Sequence, residues 1–119
     1  MSPRVNAPAA ALREARAAVP VFAALGDLTR MHIVGRLALG QPLSIASLTA
    51  GTGVTRQAVT KHLRVLDAVG LVRSNWQGRE RLWELEPARL DAARRSLDAI
   101  AAQWTTALGR LKAFVERTE

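Results

Sequence analysis

Between Thr55 and Leu66 the chain arranges Arg56, Gln57, Thr60, Lys61 and Arg64 around Val59, Leu63 and Leu66. If this segment is a helix, the three apolar residues at i, i+4 and i+7 share one inward face, and the polar residues lie on or beside the opposite one. The chemistry on offer is recognition: arginine forks onto guanine O6 and N7, glutamine pairs with adenine N6 and N7, and threonine brings a hydroxyl and a methyl suited to thymine. Lysine mainly adds charge. Thr55 is a good N-cap, and the helix start behind it aims free N–H groups and a positive dipole end at a phosphate. Thr55, Arg56, Gln57, Thr60, Lys61 and Arg64 are therefore expected to contact double-stranded DNA.

An isolated basic helix is commonly just a solvated face, so the surroundings decide. From Arg56 to Arg81 the basic residues Arg56, Lys61, Arg64, Arg73, Arg79 and Arg81 face only Asp67 and Glu80 in sequence. Gly78 permits a tight turn with Arg79 at its edge, the shape of a wing that reaches phosphate or the narrow minor groove, and Arg79 joins the expected DNA contacts. Arg81 has the alternative of pairing with a neighbouring acid. His62, three residues after Val59 and four before Leu66, reads as a satisfied histidine at the core edge. His32 lies on another helix, and two lone histidines without thiols or clustered carboxylates make a poor metal site. No Cys-His or Ser-His-Asp spacing, glycine-rich phosphate loop or carboxylate pair suggests catalysis, and neither enzyme activity nor a cofactor is expected.

The elements that must carry these residues are legible from caps and stops. Residues 1–10 mix prolines with small residues and read as a flexible arm, with one domain over 11–119. Helix is expected from Ala11 to Ala18, with Pro20 opening a second short stretch that ends at Gly26. Asp27 caps a helix with Ile33, Val34 and Leu37 inward, and Ser44 caps another that stops at Gly51-Thr52-Gly53. Thr55 caps the longer helix to about Val69, and Gly70 stops it. Leu71–Gln77 and Glu80–Glu86 read as a β-hairpin. From Ala88 to Arg117 the pattern is helical, with Leu90, Leu97, Trp104 and Leu111 every seven residues and Ala101, Leu108 and Val115 four later. Arg94 interrupts that seam and Ile100 and Phe114 widen it, which favours lateral packing onto a partner over a strict zipper.

Seventeen Lys and Arg against ten Asp and Glu give a net charge of +7, which predicts attraction to a polyanion. The chain lacks cysteine, so disulfides, thiolate ligands and thiol switches are excluded. A composition 49% hydrophobic and 23% charged is that of an ordinary globular domain, and no apolar run approaches a membrane span; the expected location is cytoplasmic, without a membrane partner. A short capped helix, a glycine turn, a longer capped helix and a hairpin are the plan of a winged helix-turn-helix, so the expected fold is mostly α with a small β-hairpin wing, and the last helix supplies an apolar face for pairing. One such domain presents a single reading helix, and pairing two chains doubles the contacts. Leu97, Ile100, Trp104, Leu108 and Leu111 on the last helix are the expected homodimer contacts.

The blocks Phe22-Ala23-Ala24-Leu25-Gly26-Asp27-Leu28-Thr29-Arg30, Thr55 to Leu66, Gly70-Leu71-Val72 and Gly78 to Leu85 resemble, in that order, the ArsR family of bacterial winged-helix repressors. The resemblance spans roughly Val21 to Pro87 and implies dimerisation through both terminal helices, the first and the last, which adds Leu12 on the first helix to the expected homodimer contacts. It also implies that Arg56, Gln57, Thr60, Lys61 and Arg64 match recognition-helix positions and Arg79 the wing, with repression relieved by an unidentified effector, and a two-fold dimer is expected to prefer an inverted-repeat operator. The family's metal-sensing branches carry a cysteine motif or a carboxylate-histidine set that this chain does not offer. Leu28 stands where proline is frequent, and Gly51-Thr52 replaces a more helical, apolar pair, so a short or loosely packed first motif helix is expected. The competing class is a winged-helix adaptor whose terminal helix docks a different protein.

Overall fold

Five helices and three strands follow one another along residues 3–118, the part of the chain that the computed structural model describes, with side chains from residue 9 onward. Helix α1 (Pro3–Leu25) runs unbroken through Pro20, where a helix break was expected. Pro20 removes one N–H from the helical ladder, but Ala18, Val21 and Ala24 are buried and hold the segment on the core. From Pro3 the stretch expected as an arm is helical backbone too, whereas Met1 and Ser2 lie outside the described residues.

The caps fall where the side-chain oxygens are. Asp27 Oδ2 accepts the Arg30 N–H at 3.0 Å and starts α2 (Leu28–Leu37), which buries Ile33, Val34 and Leu37. Ser44 serves two elements: it ends the short strand β1 (Leu43–Ser44), and its Oγ accepts the Ser47 N–H at 3.1 Å to start α3 (Ile45–Thr49). Thr55 Oγ1 accepts the Ala58 N–H at 3.1 Å and starts α4 (Arg56–Ala68). At the other end of α4 the Leu71 N–H reaches the Leu66 carbonyl at 3.0 Å and the Gly70 N–H reaches that of Asp67 at 3.0 Å. This is a Schellman stop, with Gly70 at φ +77° and the two leucines fully buried as its hydrophobic contact.

Strands β2 (Val72–Gln77) and β3 (Glu80–Leu85) pair antiparallel around a two-residue turn, with Gln77 opposite Glu80 and Gly78 at φ +64°. The sheet holds one strand more than the expected hairpin: β1 pairs antiparallel on the far side of β3, with Leu43 opposite Trp83 and Ser44 opposite Leu82. A two-residue strand has no period of its own to read, and only its pairing with β3 makes it a strand. Trp83 is thereby enclosed, and its indole N–H is buried without a hydrogen-bond partner. Helix α5 (Pro87–Thr118) packs along α1 and buries Ala93 and Ser96 there, beside the partly buried Leu90. One core, centred on Ile33, Leu48, Val59, Leu63, Leu66 and Leu71, joins these elements.

Candidate nucleic-acid interface

The position of α4 follows from its apolar stripe. Val59, Leu63 and Leu66 are fully buried, and at about 100° per residue Gln57, Lys61 and Arg64 fall on the far side of the helix. All three are exposed, as are Thr55 and Arg56 at the helix start. Thr60 lies on the flank, half-buried, and its hydroxyl donates to the Arg56 carbonyl at 2.8 Å. The hydroxyl already has a backbone acceptor, so the methyl and the oxygen's remaining lone pairs are what Thr60 has left to offer a partner.

The wing converges on the start of α4. Arg56, Trp76, Arg79 and Arg81 line one open cleft with Glu80 and the first residues of α3. Three guanidiniums against one carboxylate leave this cleft positive. Arg81 is held in place: its Nε donates to Ser74 Oγ at 2.8 Å and its guanidinium stacks 4.7 Å from the Trp83 ring centre. Sequence reasoning left Arg81 a choice between phosphate and an acid and did not bring Trp76 to the cleft. Trp76 stands on the outer face of the wing, 68% exposed.

Arg73 does not add to this positive surface. Its Nε donates to Glu84 at 3.2 Å and its Nη1 to Glu86 at 2.6 Å, and these acids hold the guanidinium charge more firmly than usual, Glu84 most. A signal for this existed in the sequence: a two-residue turn at Gly78-Arg79 puts Gln77 opposite Glu80 and therefore Arg73 opposite Glu84. His62 sits half-buried on the other flank of α4, its Nδ1 3.2 Å from Arg30 Nη1, a core-edge histidine with a polar partner. Among the described residues no group of three or more His, Asp or Glu side chains gathers as metal ligands would, and no single helix is long and apolar enough to cross a membrane.

The fold and this geometry have counterparts. Residues 25–75 match the helix-turn-helix domain family. HTH-type transcriptional regulator Rv2034 of Mycobacterium tuberculosis (strain ATCC 25618 / H37Rv) is 44% identical over 85 residues, 71% of this chain and 76% of that protein. The solved ArsR-like transcriptional regulator from Rhodococcus sp. RHA1 superposes with a TM-score of 0.70 at 38% identity, covering 83% of this chain and 92% of the other. This chain belongs to the ArsR family of winged helix-turn-helix transcriptional regulators. A second solved ArsR family regulator, RHA00566, agrees at a TM-score of 0.67 and 28% identity over 76% of this chain and 92% of its own. In this ArsR-family chain α3 and α4 are the helix-turn-helix and β2 and β3 the wing. The short α3, which stops at Thr49 ahead of Gly51, is the shortened first motif helix anticipated from Gly51-Thr52.

The side chains expected at a chain–chain contact are also displayed. Leu12 on α1 is 54% exposed, and Leu97, Ile100, Trp104, Leu108 and Leu111 on α5 are half or more exposed. On α5 these residues are spaced by three or four and share one stripe, which Val115 continues. Val19 on α1, missed in the sequence, is exposed to a similar extent.

Proposed function

We propose that this regulator is a sequence-specific repressor that binds an inverted-repeat operator in double-stranded DNA as a homodimer. The observation that carries the reading is the division of α4: a fully buried apolar stripe on one side, and exposed Arg56, Gln57, Lys61 and Arg64 on or beside the other, with Arg79 on the adjoining wing. On this reading α4 enters the major groove, Arg56 and Gln57 read base edges, Thr60 offers its methyl to thymine, and Lys61 and Arg64 add phosphate or guanine contacts. The N-terminus of α4 at Thr55 and the cleft with Arg79 take the flanking phosphates.

Two copies are needed to span neighbouring half-sites about 34 Å apart, and the uncovered apolar stripe of α5, with Leu12 of α1, is the surface that would join them. Release from the operator by an effector completes a repressor's cycle.

A competition assay on a duplex selected from a random pool, with each base pair mutated in turn, tests base reading. Arg56→Ala or Gln57→Ala flattens the preference at one or two positions, where a good bidentate contact discriminates by about 1–3 kcal/mol. Arg79→Ala weakens binding evenly across sequences and lowers the salt slope by about one. An even loss for all three variants refutes base reading by α4.

A further inference from the structure

His62 lies on the reading helix but not on its reading face. It occupies the flank of α4 across from Thr60, and its Nδ1 stands 3.2 Å from Nη1 of Arg30 and 3.8 Å from Oδ2 of Asp27. A guanidinium only donates, so Nδ1 accepts and the ring proton is on Nε2. Arg30 is itself anchored twice: its Nε donates to the Ala24 carbonyl at 2.5 Å, and its backbone N–H donates to Asp27 Oδ2 at 3.0 Å. One polar chain thus connects the last turns of α1, the corner at Asp27, the first turn of α2 and the middle of α4.

Apolar packing and this contact do different things. Burial of Val59, Leu63 and Leu66 is non-directional and leaves the helix some freedom to roll in its seat. A hydrogen bond on the flank has a length and an angle to satisfy, and it resists that roll. With side-chain tips about 5–6 Å from the helix axis, a roll of about 10° displaces them by about 1 Å, enough to spoil a bidentate base contact but not a diffuse charge contact.

We propose that His62 is a positioning residue: its hydrogen bond from Arg30, braced by Asp27, sets the roll of α4 and thereby the aim of Gln57, Lys61 and Arg64. The proposal rests on α4 being the DNA-reading helix and names what orients it. The same bonds tie α4 to the last turns of α1 through Arg30.

The test uses the full chain and two duplexes, one selected from a random pool and one scrambled. His62→Ala lowers affinity for the selected duplex about tenfold, the factor of one charge-assisted hydrogen bond, and leaves the scrambled duplex within about twofold. His62→Asn, whose side-chain oxygen lies near the place of Nδ1, restores most of the loss, whereas Arg30→Gln reproduces it. Residual dipolar couplings of the α4 amides, measured without DNA, report the roll itself: they agree between wild type and H62N and differ in H62A. Unchanged couplings in H62A, or equal losses on both duplexes unrelieved by H62N, overturn the proposal. If the wild type prefers no sequence, the DNA reading fails, and the couplings still decide whether His62 sets the helix.

Discussion

At the scale of single residues, Asp27 does the most with the fewest atoms. Its carboxylate caps α2 and lies beside Arg30 and His62, and the Arg30 backbone N–H, above all, holds it below the ordinary carboxylate value of 3.8. The neighbouring Arg30 charge acts in the same direction, while desolvation opposes it. A carboxylate whose folded value lies below its unfolded one stabilises the fold fully above the unfolded value and loses that contribution as pH falls through the folded one. Asp27→Asn keeps a capping oxygen but no charge. Urea unfolding should therefore find the wild type more stable than D27N near about pH 5, with the gap narrowing as pH falls towards about 3. A gap that does not change with pH would mean that the cap works through its hydrogen bond alone.

At the scale of elements, what was legible was local. Asp27, Ser44 and Thr55 mark helix starts because each oxygen bonds an N–H three residues on. Val59, Leu63 and Leu66 mark the inward side of α4 because the helical period depends on nothing outside the helix. What was harder to read depends on partners distant in sequence: β1 exists only through β3, and Arg73 is neutralised across the hairpin, which only the register of the turn could have foretold. Arg56, Gln57, Lys61 and Arg64 are exposed on α4, as its apolar period requires. Gly70 tests the local logic. Its φ of +77° suits glycine, and a Cβ there would come within 3.1 Å of Arg89 Cγ on α5. Gly70→Ala therefore strains the backbone and pushes Arg89 aside, and chemical denaturation should register a loss of about 1–2 kcal/mol. Gly51→Ala, at φ +77° with open space around it, separates the two effects by carrying the backbone strain without the displaced side chain.

At the scale of the whole molecule, one chain does not close on itself. Its radius of gyration is 19.7 Å, whereas a compact chain of this length has about 13–14 Å. The excess comes from long helices: α5 alone has 32 residues, about 48 Å of helix, and from residue 97 to residue 118 every position is exposed. Water-exposed Leu97, Ile100, Trp104, Leu108 and Leu111 on one stripe form a contiguous apolar surface of the kind that marks an interaction site. Covering a fully exposed side chain of this kind gains about 1.5–3 kcal/mol, and these start half to two-thirds exposed, so each contributes roughly half to two-thirds of that against the entropy lost when two chains associate. Leu108→Glu puts a charge in the middle of the stripe at a position 56% exposed in the single chain, and the fold of that chain should tolerate it. Light scattering coupled to gel filtration should then find the wild type at twice the chain mass and L108E at the chain mass. Thr106→Glu, about 160° around α5 from Leu108, should leave the mass doubled. Operator affinity should fall with the loss of the dimer, because a single α4 cannot engage both half-sites. An L108E chain that keeps its doubled mass would place the joint elsewhere, and a wild type that runs as a monomer would turn the stripe into a docking face for another protein.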